Sequence, residues 1–240
     1  MSPSHTEQTK QQMRYISIEG CMGAGKSTII KMLQKSDADS DIIGVRSMLQ
    51  EPVQDWAHLL ADFYKNPRNN ALILQLEILR SRCQQIIDLE NNLGVASNDS
   101  ILMERSIESS SDVFVPMMQK MNDDSGQAIM AIADADLYNR FRKTMTQIMT
   151  ERGHVMDGII FIDTDPMVCL QRIKKRDRTG ETSISLEYLK ELRKHYMRWI
   201  EETLRPSGVH VIVVRDKDEG VDSVYREVIE HLIRLDLLRL

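Results

Sequence analysis

The residues best suited to chemistry lie in one glycine-rich stretch near the start of the chain. The run from Gly20 to Thr28 contains the pattern G-x-x-x-x-G-K-S, in which glycines let successive backbone N–H groups point at phosphate oxygens. Lys26 supplies a charge for the β- and γ-phosphates of a nucleotide, and the Ser27 hydroxyl suits Mg²⁺. The stretch therefore predicts a nucleotide-binding loop, composed of Gly20, Cys21, Met22, Gly23, Ala24, Gly25, Lys26, Ser27 and Thr28.

The segments on either side of this loop have the structure that the motif requires. An apolar-alternating run from Tyr15 to Glu19 comes before it, and a helical run from Thr28 to Lys35 follows. The helix adds unpaired N–H donors and the positive end of its dipole to the phosphate site. The loop alone does not indicate which acceptor receives a phosphate.

Charged residues follow two further predicted strands, at the point where each strand ends. Glu51 comes after the strand Ile42–Met48, and Glu104 and Arg105 come after the strand Ile101–Met103. The carboxyl ends of strands in an open parallel sheet line the ligand crevice. We therefore expect these side chains to lie near the phosphate loop.

The remaining elements alternate between helical and extended patterns. Two more apolar runs read as strands, Gly158–Ile162 and Val209–Val214. The helical patterns are Trp56–Tyr64, Ala71–Leu89, Ser109–Met121, Ser125–Arg152 with Gly153 as its cap, Pro166–Lys175, Leu186–Leu204 and Val221–Leu235. This alternation predicts an α/β fold with a parallel sheet covered on both faces.

Composition excludes several classes of protein. The chain has 240 residues, 42% hydrophobic and 28% charged, which is ordinary for one soluble α/β domain. A net charge of −5 argues against general nucleic-acid binding, and the lack of a long apolar run argues against a membrane span. Three widely spaced cysteines predict free thiols in a reducing compartment.

The first thirteen residues are polar and have neither the apolar segment of a secretion signal nor the arginines of a mitochondrial presequence. We interpret residues 1–13 as a disordered tail and residues 14–240 as a single domain. The same features favour a cytoplasmic location over a mitochondrial one.

An ordered set of motifs follows the phosphate loop. Its members are Glu51-Pro52-Val53 with Trp56, Tyr64-Lys65 with Pro67, Gln75, Glu104-Arg105-Ser106, Arg172-x-x-x-Arg176-x-Arg178 with Glu181, and Leu186-Glu187-Tyr188-Leu189. The set resembles the cellular and viral deoxynucleoside kinase family, which includes deoxycytidine, deoxyguanosine and broad-specificity insect enzymes. The resemblance extends from about Tyr15 to Leu235. It implies a P-loop kinase fold with a five-stranded parallel sheet, an arginine-rich lid at about 172–184, and usually a homodimer.

The resemblance also implies a reaction, the transfer of the γ-phosphate of ATP to the 5′-hydroxyl of a deoxynucleoside in nucleotide salvage. Its transition state is loose, so catalysis depends on alignment and charge stabilisation. By resemblance, Glu51 accepts the hydroxyl proton, and Arg105 contacts the 5′-oxygen region and keeps Glu51 ionised. Glu104 joins Ser27 in holding Mg²⁺.

The basic run in the predicted lid has two interpretations. Taken alone, it reads as a solvated helix face or a patch for an acidic partner. By resemblance, three arginines close over the transferred phosphate, namely Arg172, Arg176 and Arg178. Lys174 and Lys175 match no family position and are expected to be exposed. Many relatives carry two acidic residues where this chain has Gly180-Glu181, so Gly180 is expected to loosen the hinge.

The resemblance assigns the substrate-binding side chains as well. Glu181 and Tyr64 would bind the sugar 3′-hydroxyl. Gln75 carries an amide suited to a base edge, while Trp56 and Phe114 would form the aromatic pocket. Each aromatic residue could equally be plain core packing.

Arg82 bears on the choice of base. It lies two helical turns after Gln75 on the same face, and relatives that prefer cytosine or purines carry arginine there. Such relatives often pair it with aspartate, but this chain has Ser110 at that position, and Asp112 belongs to a different face. We therefore expect deoxycytidine or a purine deoxynucleoside as the best substrate, unless Arg82 is simply exposed; thymidine also remains open.

Three other functions remain open at this point. Another P-loop phosphotransferase, such as a nucleoside monophosphate kinase, would need a basic pocket for an acceptor phosphate. A non-catalytic nucleotide-binding or assembly relative would not need the intact set of charged residues. A regulatory NTPase would need a residue that positions water, and no such residue is evident.

Overall fold

Five strands form one parallel sheet in the part of the chain that the computed structural model describes, which is residues 13–39, 45–93, 100–178, 181, 184–217 and 220–234. The strands are β1 (Met13–Gly20), β2 (Val45–Leu49), β3 (Ser100–Glu104), β4 (His154–Asp163) and β5 (His210–Arg215). Their order across the sheet is β2-β3-β1-β4-β5, and every neighbouring pair is parallel. The predicted five-stranded parallel sheet is confirmed.

Side chains alternate between two cores on the two faces of this sheet. Ile16, Ile18 and Leu102 belong to one buried cluster, whereas Tyr15 and Ile101 belong to the other. The inner strand β4 is covered on both faces, and its segment Gly158–Ile162 accordingly consists of a continuous run of buried, apolar residues.

Helices cover both faces and connect the strands. They are α1 (Lys26–Asp39), α2 (Val53–Lys65), α3 (Pro67–Leu93), α4 (Ile107–Ser109), α5 (Val115–Lys120), α6 (Ile132–Glu151), α7 (Pro166–Arg176), α8 (Leu186–Trp199), α9 (Arg205–Ser207) and α10 (Val221–Arg234). Each predicted helix is present, with ends that differ by a few residues except in the cases below. Among the described residues, no helix is long and apolar enough to cross a membrane.

The predicted start of the helix Ser125–Arg152 is wrong, because α6 begins only at Ile132. The preceding residues form a turn in which the Asp123 carboxylate accepts hydrogen bonds from the backbone N–H groups of Ser125 and Gln127. A short polar side chain that binds nearby N–H groups competes with helix formation. The C-terminal prediction is confirmed, since Gly153 has a φ of +95° just after the helix.

Two helices contain a π turn that periodicity did not predict. Ser110–Phe114 joins α4 to α5, and Ile200–Leu204 replaces the end of the predicted helix Leu186–Leu204. In both cases the residue after the turn donates its N–H to the carbonyl five residues earlier, and a proline follows, Pro116 or Pro206. Because proline clashes with the carbonyl four residues back, the wider turn accommodates it without ending the helix.

Three predicted segments extend beyond the part of the chain that the structure describes. The predicted tail covers residues 1–13, but Met13 already begins β1, and residues 1–12 lie outside the described part. Residues 42–44 of the predicted second strand and Leu235 of the last helix also lie outside it.

The three cysteines are free and buried, which confirms the prediction of free thiols.

The buried centre of the sheet supplies a test of stability. Ile160 in β4 is 0% exposed, so Ile160→Ala should lower the free energy of unfolding by about 2–5 kcal/mol through lost burial and a residual cavity. Ile132, at the start of α6, is 75% exposed, and Ile132→Ala should change it by less than about 0.5 kcal/mol. Chemical denaturation measures the free energy of unfolding of both variants. An equal loss in the two would contradict the assignment of Ile160 to the core.

Candidate active site

The phosphate loop lies between β1 and α1, and its glycines have backbone conformations that other residues avoid. Gly20 and Gly23 have φ values of +149° and +81°. A Cβ atom on Gly23 would lie 2.5 Å from the carbonyl oxygen of Cys169, and one on Gly20 would lie 2.8 Å from that of Ile162. Both positions therefore require glycine, because the loop passes closely over neighbouring backbone.

Lys26 folds back onto its own loop. Its ammonium group donates to the carbonyl oxygens of Gly20 at 3.2 Å and Cys21 at 3.0 Å, and the residue is buried. Burial lowers the pKa of Lys26 to about 8, and Arg105 adds to this effect while the carboxylates of Glu104 and Glu51 oppose it. A phosphate group in the loop would give this cation a partner of opposite charge.

The two residues expected to hold Mg²⁺ contact each other. The Ser27 hydroxyl donates to Oε1 of Glu104 at 2.7 Å, and Oε2 of Glu104 accepts from the backbone N–H of Glu51 at 3.4 Å. No cluster of three or more His, Cys, Asp or Glu residues suitable for a metal occurs in the described ranges. A hydroxyl and one carboxylate fit a cation that prefers oxygen ligands and takes the rest from phosphates and water.

Glu51 follows β2, and both of its carboxylate oxygens are held by arginines. Oε1 accepts from Nη2 of Arg82 at 2.7 Å, and Oε2 accepts from Nε of Arg105 at 3.4 Å. Burial alone would raise the pKa of Glu51, but the charges of Arg105, Arg82 and Lys26 together hold it below its ordinary value. Glu51 is therefore an ionised carboxylate at neutral pH, fixed in direction by two charge-assisted bonds.

Arg105 has a strained backbone directly after β3. Its φ is +63°, a backbone angle that residues other than glycine seldom adopt. Its backbone N–H donates to the carbonyl oxygen of Ile18 at 3.0 Å. Its guanidinium carbon lies 5.1 Å from the centre of the Phe114 ring. This backbone turn directs the side chain toward Glu51 at the carboxyl edge of the sheet.

A cavity of about 560 Å³ brings the predicted residues together. The predicted residues that line it are Met22, Gly23, Gly25, Lys26, Ser27, Thr28, Glu51, Trp56, Tyr64, Gln75, Arg82, Glu104, Arg105, Phe114, Arg172, Arg176, Arg178 and Glu181. Three residues of the predicted loop do not line the cavity, namely Gly20, Cys21 and Ala24. Residues from the phosphate loop and from each of the motifs that follow it along the chain therefore line one cavity.

Three buried polar atoms of residues lining this cavity have no hydrogen-bond partner among the described residues. They are Nε1 of Trp56, Oε1 of Gln75 and Nε of Arg82. Buried polar groups are nearly always paired, so unpaired atoms of residues around one cavity indicate a site that a polar ligand completes. Leu74, Ile78 and Met118 supply apolar lining next to them.

The lid arginines are paired with carboxylates. Arg176 and Arg178 both bind the buried Glu181, the latter at 3.3 Å. Arg172 donates to Oδ2 of Asp216, just after β5, at 2.7 Å. The three arginines thus line the cavity while fixed to acidic partners on two different segments.

Other expectations about the lid have mixed outcomes. Lys174 and Lys175 are exposed, as predicted. Gly180, expected to loosen the hinge, lies outside the described residues. Tyr64 donates to the sulfur of Met22 at 3.7 Å and borders the same cavity as Glu181, so the pair expected at the sugar hydroxyl shares one space.

Arg82 is buried, which contradicts the alternative that it is simply exposed. Besides Glu51, it donates through Nη1 to the carbonyl oxygens of Glu104 at 2.8 Å and Arg105 at 2.9 Å. Asp112 was predicted to lie on a different helical face from Ser110. It accepts from the indole of Trp199 at 3.2 Å and does not line the cavity, whereas Ser110 does. The Arg82 guanidinium is thus held at the carboxyl edge of the sheet, by residues that follow β2 and β3.

Several lining residues were not predicted. Tyr188 lies within one of the quoted motifs, and burial raises its pKa well above the ordinary value, so its hydroxyl stays neutral. Lys31 lies one helical turn after Ser27 on α1, a spacing that could have placed it at the site. Gln54 lies in the first turn of α2 and had no distinguishing signal in the sequence.

Comparison with known proteins agrees with this geometry. A family model described as deoxynucleoside kinase matches residues 16–234. The probable deoxycytidine kinase of fowlpox virus (strain NVSL) is 31% identical over 218 residues, which is 88% of this chain and 83% of that protein.

Two further relatives carry other names at similar levels of identity. The deoxyadenosine kinase of Dictyostelium discoideum is 27% identical, over 85% of this chain and 73% of its own. The mitochondrial thymidine kinase 2 of Homo sapiens is 28% identical, over 88% and 74%. Because the family model spans nearly the whole chain, and the phosphate loop, buried carboxylate and arginine-rich segment lie around one cavity, the protein belongs to the deoxynucleoside kinase family.

Proposed function

We propose that this chain transfers the γ-phosphate of ATP to the 5′-hydroxyl of a deoxynucleoside, as a step in nucleotide salvage. The observation that carries the proposal is the position of Glu51. This ionised carboxylate, fixed by Arg82 and Arg105, belongs to the wall of a cavity that also includes the phosphate loop and unpaired polar atoms. Such an arrangement suits proton removal from a neutral hydroxyl next to a bound triphosphate.

Each part of the site has a role in this reaction. Lys26 and the backbone N–H groups of the loop hold the donor phosphates, and the lid arginines neutralise charge on the transferred group. Glu51 accepts the proton of the 5′-hydroxyl. Mg²⁺, when held by Ser27 and Glu104, supplies charge neutralisation at the phosphate oxygens. Phosphoryl transfer then depends chiefly on the alignment of donor and acceptor within the cavity.

The shape of the acceptor side favours a nucleoside over a nucleotide. A nucleoside monophosphate kinase needs a basic pocket for the acceptor phosphate. The cavity lining also includes the apolar and aromatic side chains of Trp56, Leu74, Ile78, Phe114 and Met118, which suit an uncharged base. Binding of ATP without acceptor-dependent turnover would instead favour a non-catalytic relative or an NTPase switch.

The first test is phosphorylation with Mg-ATP and each of the four deoxynucleosides. We expect turnover that depends on the nucleoside and on Mg²⁺, and a fall in kcat of about 10²–10⁴-fold in Glu51→Gln, because the amide cannot accept the proton. Glu202→Gln, at an exposed position, should retain wild-type activity. Absence of acceptor-dependent turnover with all four nucleosides would overturn the proposed function.

We also propose deoxycytidine or a purine deoxynucleoside as the best substrate. A guanidinium only donates hydrogen bonds, so it favours base edges rich in acceptors. Nη1 and Nη2 of Arg82 are engaged by backbone carbonyls and Glu51, whereas Nε is unpaired. Gln75 lies on the same face of α3, and its Oε1 is also unpaired among the described residues, so it can accept a hydrogen bond from a base.

Arg82→Met should raise the thymidine-to-deoxycytidine ratio of kcat/KM, since the donor that favours cytosine is removed. Absolute rates should fall with every nucleoside, because Glu51 loses one of its partners. Initial-rate kinetics measure both quantities. Arg80→Met removes an exposed arginine two residues away and should leave the ratio unchanged. An unaltered ratio in Arg82→Met would mean that Arg82 does not select the base.

A homodimer is the remaining proposal that the resemblance supports. Phe141 and Ile148 lie two helical turns apart on α6 and are 52% and 41% exposed, and Ile73 on the adjacent α3 is 52% exposed. Exposed apolar side chains on neighbouring helices are typical of interfaces. Phe141→Asp should therefore dissociate the dimer in analytical ultracentrifugation, whereas Met167→Asp, on α7, should not. A monomeric wild-type protein would exclude the proposal.

A further inference from the structure

The carboxylate of Glu19, at the end of β1, belongs to a residue that does not line the cavity. Glu19 is 0% exposed and immediately precedes the phosphate loop. Its Oε1 accepts from the backbone N–H of Ser106 at 2.6 Å, and its Oε2 accepts from the hydroxyl of Tyr196 at 3.0 Å. Burying a carboxylate costs free energy unless it is hydrogen-bonded, and these two donors offset that cost.

The Tyr196 hydroxyl connects this carboxylate to the site. It also accepts a hydrogen bond from Nη1 of Arg105, whose Nε binds Glu51. Burial raises the pKa of Tyr196 well above its ordinary value, as does Glu19 to a smaller extent, although Arg105 opposes the change. The hydroxyl is therefore neutral at physiological pH and keeps the proton that it donates to Glu19.

Tyr196 is held firmly in this place. It is 0% exposed, and its ring centre lies 5.2 Å from that of Phe161 and 6.2 Å from that of Phe114. The phenol oxygen thus has a fixed position on α8, with one donor arriving from Arg105 and one acceptor in Glu19. A bond from Nε alone would let the Arg105 guanidinium pivot, whereas a second bond at Nη1 fixes its plane.

We propose that Tyr196 and Glu19 are positioning residues for Arg105, so that they set the rate of phosphoryl transfer without touching either substrate. This inference rests on the proposed kinase function. Glu19 holds Arg105 from two sides, through the side chain by way of Tyr196 and through the backbone of the next residue, Ser106. It thereby maintains the φ of +63° at Arg105 as well as the direction of its guanidinium.

The hydroxyl can be deleted with little change in shape. Tyr196→Phe should lower kcat by about ten- to hundred-fold, the range for one hydrogen bond to a charged group, and leave KM for both substrates within about two-fold. Tyr15→Phe is the matched control, because Tyr15 is a buried tyrosine whose hydroxyl donates to Glu108 at 2.6 Å outside this cavity. If both variants have equal kcat, the proposal is wrong.

A double-mutant cycle separates positioning from a general packing effect. If Tyr196 acts through Arg105, Tyr196→Phe should cost less than about two-fold in an Arg105→Gln background. The same loss in both backgrounds would show that Tyr196 acts independently. Glu19→Gln should resemble Tyr196→Phe, because the amide can no longer accept from both Ser106 and Tyr196.

A readout that does not depend on turnover keeps this inference distinct from the proposed function. Crystals of Tyr196→Phe should show the Arg105 guanidinium rotated away from Oε2 of Glu51 or spread over several positions. Crystals of Tyr15→Phe should show it in place. An undisturbed Arg105 in Tyr196→Phe overturns the positioning role even if the wild type is inactive, whereas inactivity of the wild type alone overturns only the kinase function.

Discussion

The site depends on one ion cluster, the half-buried Glu51 carboxylate between the buried guanidinium groups of Arg82 and Arg105. Removing two arginines and a carboxylate from water costs several kcal/mol per ion, and only close pairing with further hydrogen bonds offsets it. Here Arg82 also binds two backbone carbonyls, and Arg105 binds Tyr196. The cluster ties the ends of β2 and β3 to α3, so the walls of the cavity are held by the groups that would perform the reaction.

The order of strands brings these groups together. In the sequence β2-β3-β1, the carboxyl end of β3 lies between those of the other two strands. Glu104 therefore reaches Ser27 on one side and the backbone of Glu51 on the other. A parallel sheet supplies this convergence because every strand ends at the same edge. The residues that follow each strand at this edge then determine which reaction the site can catalyse.

Phosphoryl transfer and base choice place different demands on the fold. The relatives are named for deoxycytidine, deoxyadenosine and thymidine at 27–31% identity. These names have a deoxynucleoside kinase in common and differ in the base, at nearly equal identity to this chain. Arg82 holds Glu51 through Nη2, while its Nε has no hydrogen-bond partner among the described residues that surround the cavity. Under the proposed function, Arg82 would serve both proton removal by Glu51 and contact with the base.

Local spacing and backbone preference are enough to predict the phosphate loop, the alternation of strands and helices, and the charged residues at strand ends. The same patterns misplaced the start of α6, where the Asp123 side chain binds the backbone, and missed the π turns before Pro116 and Pro206. The partners of Arg82 and the link from Glu19 through Tyr196 to Arg105 depend instead on how the chain folds. Those contacts join residues 22 to 177 positions apart, and no local pattern records which distant side chains pair with a given charge.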